Sequence, residues 1–319
     1  MIKGQAPSNI ALIKYMGKIE GTGNKPTNAS LSYTLPHLVT EVHLHEIDGD
    51  QDQWAPLELK GFAAPELSEK GRSKFLGHFE RLKQAWGLSG HYRIESANNF
   101  PSDCGLASSA SSFAALTQAA AHLREQKTGV RTSPEELSVL SRKGSGSSCR
   151  SFFAPWALWE NEGAEAVDLG YPDLLHAAVV ISAGVKEVSS SDAHVRVTSS
   201  PRFEGRVDRA HQRLRDLTSA LKERNWSESY RLCRDEFIDM HELFETSAVP
   251  FKYRTKESSD VTDACQHIWN HKGDGPLVTM DAGPNVHLLF RADQRELADK
   301  MIEHFRKKHM TFTSWRGLK

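Results

Sequence analysis

The sequence predicts an α+β fold in two domains, on three observations. Strand patterns dominate the first half of the chain, while amphipathic helices and one hairpin fill the second, with no regular strand–helix alternation. At 319 residues, with 39% hydrophobic and 25% charged side chains, the chain can bury two soluble cores more readily than one. The pattern changes between positions 170 and 185, which divides the chain into an N-terminal domain, 1–180, and a C-terminal domain, 181–319.

Each element has its own signal. "VTEVHLHEI" (39–47) puts Val42 and Leu44 on one face and reads as a strand, as does "HYRIES" (91–96) with Tyr92 and Ile94. "NNFPSDCGLASSASSFAALTQAAA" (98–121) passes from asparagines through Pro101 and Gly105 into serines, then into an alanine-rich run. Phe113, Leu116, Ala120 and Leu123 make that run a helix, and Gly129 ends it. "LLHAAVVISAG" (174–184) is a continuous apolar run of strand length. Val207, Ala210, Leu214, Leu217 and Leu221 form one helical stripe; Trp226, Tyr230, Cys233, Phe237, Met240 and Phe244 form a second. "VTDACQHIWNH" and "QRELADKMIEHF" are further helices. Between them "PLVTMDAGPNVHLLF" reads as a hairpin turning through Ala282 to Asn285.

Composition narrows the function. A net charge of -1 gives no general attraction to nucleic acid or an anionic membrane, so anionic ligands need local clusters. Cys104, Cys149, Cys233 and Cys265 form no CxxC pair. The apolar run IALI near the N-terminus is too short for a signal peptide core, and no run approaches the roughly 20 apolar residues of a membrane span. A reduced cytoplasmic protein is expected.

A helix start exposes unpaired N–H groups and the positive end of the dipole. Gly105 followed by Ser108 and Ser109 suits a phosphate there, although an ordinary N-cap uses the same residue types. The usual P-loop is excluded, because Gly17-Lys18 is followed by Ile19 and no glycine lies five residues earlier.

"FPSDCGLASSASSFAAL" resembles the P-x-x-x-G-L-[AG]-S-S-[AS] phosphate loop of the GHMP superfamily of small-molecule kinases. Within that superfamily, "APSNIALIKYMGK" (6–18), "NASLSYTL" (28–35), "SRKGSGSSCRSFF" (141–153) and "VTMDAGPNVHLLF" (278–290) resemble the mevalonate diphosphate decarboxylase family, in order and spacing. The resemblance implies an N-terminal ribosomal-protein-S5-domain-2-like domain, a C-terminal ferredoxin-like α/β sandwich and an active site in the cleft between them. It implies ATP-dependent, magnesium-requiring decarboxylation of mevalonate 5-diphosphate to isopentenyl diphosphate, in a homodimer.

It also implies residue roles. Asp281 matches the catalytic aspartate, Arg150 the arginine that grips the substrate carboxylate, and Asn9 a residue that positions the aspartate. Tyr15 and Lys18 match substrate contacts, and Lys18 is expected to lie beside Asp281 and keep it ionised. Ser145, Gly146 and Ser147 suit the substrate phosphates, and Ser190 aligns with a serine near the transferred phosphoryl, with Ser189 or Ser191 one register away. Ser96, Asn98, Pro101, Gly105, Leu106, Ala107, Ser108 and Ser109 match the nucleotide site, with Ser108 on magnesium. The adenine is expected against a loop at Gly71–Lys74. Met16, Asp103 and Ser191 depart from the family pattern, which leaves open a 5-phosphate or 3,5-bisphosphate substrate. A GHMP kinase without decarboxylation is the other alternative.

Overall fold

The computed structural model describes residues 1–19, 21–65, 67–101, 108–182 and 187–315. Two sheets organise it. The first is built from β1 (Ile2–Ile13), β2 (Ser30–Ile47), β3 (Gln53–Pro56), β4 (His91–Asn98), β5 (Trp156–Trp159) and β6 (Ala164–Ala166). Its order is β3-β4-β2-β5-β6, with β1 also antiparallel to β2. Along that pair the register jumps from Pro7 opposite Val39 to Ser8 opposite Leu35, so residues 36–38 bulge out. The second sheet, β10-β7-β9-β8, joins β7 (Leu175–Val180), β8 (Leu277–Met280), β9 (Val286–Phe290) and β10 (Met310–Thr313).

Helices cover both sheets. In the first half α1 (Glu69–Trp86), α2 (Ser108–Thr128) and α3 (Pro134–Gly144) accompany the strands, so the predominance of strands there is only partial. Phe75, Phe79 and Leu82 of α1 and Phe113, Leu116 and Ala120 of α2 pack on Val42, Leu44 and Ile94. Full burial of each large side chain contributes about 1.5–3 kcal/mol. The second half carries α4 (Ser190–Arg196), α5 (Arg206–Lys222), α6 (Trp226–Glu245), α7 (Lys256–Lys272) and α8 (Arg295–Arg306). The stripes read from sequence are the buried faces of α5 and α6, including Leu214, Leu217, Phe237 and Met240. The hairpin reading also holds: Leu277 pairs with Leu289 and Met280 with Val286.

One large core joins the two sheets. Ile10, Leu12, Leu31 and Tyr33 from the first lie in the same cluster as Val179, Val286 and Leu288 from the second. The Thr279 hydroxyl donates to the Ala11 carbonyl across this boundary at 3.2 Å. This packing brings the end of β1 close to the end of β8, where the site lies.

Candidate active site

β1 pairs with β2 as far as Ile13, and the chain then leaves the sheet through Lys14, Tyr15, Met16, Gly17 and Lys18. It enters a cleft of about 550 Å³, walled also by the start of α1, the start of α2, Ser145–Arg150, α4 and Asp281. Gly17 turns the chain there with φ +92°, a conformation that favours glycine.

Asp281 follows the last residue of β8, and its side chain remains 25% exposed at the floor of the cleft. Lys14 Nζ donates to Asp281 Oδ1 at 2.7 Å, and Lys14 itself is only 1% exposed. Burial alone raises the Asp281 carboxyl. The charges of Lys14, His287 and Arg150 and the Lys14 hydrogen bond outweigh it, so the group sits below the ordinary carboxylate range. Lys14 is drawn below the usual lysine value by burial, against the opposing pull of Asp281. The lysine beside Asp281 is therefore Lys14, not Lys18 as the sequence suggested. Lys18 lines the cleft farther along, in an isolated bridge to Pro26.

Arg150 is 3% exposed, more deeply set than its sequence setting implied. It lies in a turn of 3-10 helix, Gly146–Phe152, so the "GSGSSCRS" segment is ordered helix and not a Gly-Ser loop. Its Nε donates to Asn9 Oδ1 at 3.2 Å, its guanidinium lies 5.7 Å from the Trp159 ring centre, and its buried Nη1 has no protein partner. Asn9 Nδ2 donates to Ser151 Oγ at 2.9 Å and to the Ser147 carbonyl at 3.2 Å. The side-chain hydrogen bonds of Asn9 thus go to Arg150, Ser147 and Ser151. A buried guanidinium with an unpaired N–H on the cleft wall is built to meet a planar anion such as a carboxylate.

Tyr15 packs against Trp159 and His194, with ring centres 4.7 and 4.3 Å away. Its hydroxyl donates to the Asn24 carbonyl at 3.4 Å, and burial raises its phenol. Gly146 is placed tightly, since a Cβ there comes within 2.7 Å of the Tyr15 ring. Ser145, Gly146 and Ser147 all line the cleft. His194 Nδ1 accepts the Gly17 N–H at 3.0 Å, which requires a neutral ring. Burial, then the Lys18 and Lys74 charges, push that imidazole down to about 3. Ser189, Ser190 and Ser191 all reach the cleft. Ser189 caps α4 by accepting the Asp192 N–H at 3.1 Å, and Ser190 is the first residue of the helix. Met16 is buried with Met240, Val188 and Phe244.

Of the residues expected at the nucleotide, Ser96, Ser108 and Ser109 line the cleft, the latter two opening α2, whose first turn carries no acidic residue. Asn98 is turned inward and accepts from Thr40 Oγ1 at 2.7 Å, while Pro101 is half-buried outside the cleft lining. Gly105, Leu106 and Ala107, with the divergent Asp103, lie outside the described residues. Gly71 and Lys74 belong to the first turns of α1, whose N-cap is Ser68, and not to a loop. Lys74 lies 5.2 Å from the Phe113 ring centre, and burial and then the Lys18 charge lower its ammonium. Two repelling lysines on one cleft attract a polyanion. Lys14 and His194 are cleft residues that sequence reasoning missed, while Lys74 was reached only as the end of the segment expected against the adenine. His43, His45 and Glu95 form another set of possible metal ligands among the described residues, but none of them lines the cleft. His43 is already paired with Glu41 at 2.6 Å and His45 with Glu95 at 3.1 Å.

Comparison with known proteins fits this geometry. Residues 6–168 match the model of the diphosphomevalonate decarboxylase-like N-terminal domain. Residues 177–317 match that of the mevalonate 5-diphosphate decarboxylase C-terminal domain. The diphosphomevalonate decarboxylase of Schizosaccharomyces pombe is 31% identical over 317 residues, which cover 92% of this chain and 79% of that protein. A crystal structure of a mevalonate diphosphate decarboxylase from Legionella pneumophila superposes with a TM-score of 0.91 at 47% identity, covering 98% of this chain and 99% of the other. A structure of MDDEF in complex with MVAPP, AMPPCP and magnesium gives 0.85 at 30% identity, covering 98% and 96%.

Proposed function

The chain belongs to the diphosphomevalonate decarboxylase family, and from that premise we propose how its own residues carry out the family's reaction. The enzyme decarboxylates mevalonate 5-diphosphate to isopentenyl diphosphate, consuming ATP in the presence of magnesium and releasing ADP, phosphate and CO2. The observation that carries the assignment of roles is the trio of Asp281, Lys14 and Arg150 at the floor of the cleft. The cleft suits the nucleotide: it combines the first turn of α2, which carries no acidic residue, the hydroxyls of Ser108 and Ser109 and the two like charges of Lys18 and Lys74. Ser108 is the proposed magnesium ligand.

Bound magnesium-ATP supplies the phosphoryl group that turns a tertiary C3 hydroxyl into a leaving group. Asp281 orients that hydroxyl and accepts its proton on Oδ2, because Lys14 occupies Oδ1. Lys14 keeps the carboxylate ionised until the transfer. Arg150, held by Asn9, grips the substrate carboxylate in line for loss as CO2. Tyr15, Lys18, Ser145, Gly146 and Ser147 hold the 5-diphosphate, and Ser190 lies toward the transferred group.

The boundary expected after residue 180 is proposed to fall instead just ahead of β7, since among the described residues that strand pairs with β9 and β10 of the second sheet. A cytoplasmic homodimer is proposed from the family's habit and from the free, buried thiols of Cys149, Cys233 and Cys265. No described helix is long and apolar enough to cross a membrane. The assay that tests the reading offers ATP with mevalonate, its 5-phosphate or its 5-diphosphate, and follows ADP and CO2 together. The expected result is stoichiometric ADP and CO2 with the highest kcat/KM for the diphosphate. ADP without CO2 would make the protein a kinase, and an equal or higher kcat/KM for the monophosphate would reassign the substrate.

A further inference from the structure

Among the described residues, a cluster of deeply buried charges lies outside the cleft lining. Arg206 on α5 and Glu236 on α6 are both 0% exposed, and Asp239 is 2% exposed. Arg206 Nη2 pairs with Glu236 Oε1, while Nη1 reaches Glu236 Oε2 at 3.1 Å and Asp239 Oδ2 at 3.3 Å. Arg213 adds contacts to Glu236 Oε2 at 3.0 Å and Asp239 Oδ2 at 2.8 Å, and Arg209 reaches Asp239 Oδ1 at 3.0 Å. A buried ion pair is weak evidence for stability, because apolar residues of similar volume often serve as well. Its contacts outside the network suggest another role.

Those contacts converge on one peptide. Glu236 Oε1 accepts the Lys14 N–H at 2.9 Å, and Arg206 Nη2 donates to the Lys14 carbonyl at 3.2 Å. Asn28 Nδ2 donates to the same carbonyl at 2.9 Å. Sheet pairing of β1 ends at Ile13, so Lys14 is the first residue beyond the paired stretch. The ion pair replaces the sheet at that point. Its direction sets where the Lys14 side chain points, and Lys14 Nζ lies 2.7 Å from Asp281 Oδ1.

We infer that the buried Arg206–Glu236 pair is a positioning device, which aims Lys14 at Asp281 by gripping both polar groups of the Lys14 peptide. The inference rests on the reading of Asp281 as the base. The charged and titratable groups facing Asp281 are Lys14 from the end of β1, Arg150 from the 3-10 turn, His287 from β9 and His241 from α6. Of these, only Lys14 shares a hydrogen bond with the pair.

The test uses the full-length enzyme and three variants. Arg206→Lys keeps a charge for Glu236 but loses the fork that reaches the Lys14 carbonyl. Glu236→Gln weakens the grip on the Lys14 N–H. Arg213→Gln disturbs the same network without touching Lys14. For the first two, kcat should fall about tenfold or more, as expected when a catalytic group is misplaced by a fraction of an ångström. KM for ATP and substrate should stay within about twofold, because neither residue touches them. The acidic limb of the kcat–pH profile should move to higher pH, since a displaced Lys14 no longer offsets the burial of Asp281. Arg213→Gln should lower the melting temperature and leave the limb in place.

A folded Arg206→Lys or Glu236→Gln enzyme with a wild-type limb overturns the inference. So does a limb that moves equally in Arg213→Gln, which would make the effect one of general stability. Hydrogen exchange on the wild type gives a reading that needs no variant: the Lys14 amide should be as slow as those within β1, and fast exchange overturns the grip. A wild type that releases no CO2 would instead remove the reading of the reaction, a failure distinct from these.

Discussion

At the scale of single residues, the site depends on which lysine stands beside Asp281. "IALIKYMGK" offers Lys14 and Lys18 four residues apart, and nothing in the letters says where the strand stops. The structure ends the pairing at Ile13, which drops Lys14 into the protein and leaves Lys18 farther along the cleft. The legible signal was position: Lys14 closes an apolar run, where a buried charge needs a buried partner. Asp281 itself was readable as a carboxylate in a hairpin turn, and its role follows from the contacts around it. Asp281→Asn keeps the shape and removes the proton acceptor. General-base catalysis contributes roughly 10²- to 10⁴-fold and positioning adds to it, so kcat should fall at least about a thousandfold. Calorimetry should still find ATP and substrate bound, and ADP and CO2 should be lost together. In the wild type the carboxyl lies below its ordinary value, so it is ionised throughout the neutral range and kcat should decline only as pH falls through that depressed value. More than about a tenth of wild-type turnover in the asparagine variant would leave Asp281 as a turn residue only.

At the scale of elements, legibility followed periodicity. α5, α6 and the β8–β9 hairpin were readable because their apolar residues recur at clean intervals and flank turn residues. α1 was missed although Phe75, Phe79 and Leu82 form a stripe, because the intervening residues are mostly charged and the stripe is narrow. β1 was missed because its second half is buried on both faces, which erases the alternation a strand normally shows. The segment from Ser145 to Arg150 was readable as small and polar, but not as helix. Its glycines serve close approach: a Cβ on Gly144 comes within 2.3 Å of the Phe113 ring, and one on Gly146 within 2.7 Å of Tyr15. Gly146→Ala adds a methyl group against both Tyr15 and the buried Trp159 ring, within 2.7 and 3.1 Å, so Tyr15 should be displaced, KM for the substrate should rise several-fold and the melting temperature should fall. Steady-state kinetics beside a thermal melt check this. An unchanged KM would show that Tyr15 is not needed where it stands.

At the scale of the whole molecule, the protein buries several imidazoles, and that sets how it should respond to acid. His176 bridges the two halves, with Nδ1 3.1 Å from His37 Nε2 and Nε2 2.9 Å from His287 Nδ1. His78 holds α1 to α2 by a 2.9 Å contact between its Nε2 and the Thr117 hydroxyl, and His241 lies behind the cleft against the Asp281 backbone. His78, His176 and His241 are each 1% exposed. Burial is the first cause in all three: it pushes His78 and His241 down to about 3 and His176 well below the usual imidazole value. Neighbouring charges act the same way: Arg81 and Lys74 on His78, Arg254 and Lys14 on His241. In the unfolded chain all three return to about 6.5. Between that value and the depressed ones the unfolded state binds more protons than the folded state, so stability falls as pH falls. It is fully present above pH of about 6.5, and each histidine removes up to roughly 1.4 kcal/mol per pH unit below it. Three such groups acting together make the loss steep, about 3 kcal/mol over the first full unit below that value. Urea melts between pH 7.5 and 5 should show the midpoint dropping with an unchanged slope, and His78→Gln should flatten the dependence by about a fifth, since glutamine cannot be charged while His37, His176, His194 and His241 remain depressed. A midpoint independent of pH across that interval would mean that these rings gain their protons without unfolding the protein, and that the two halves are packed loosely enough to admit water around them.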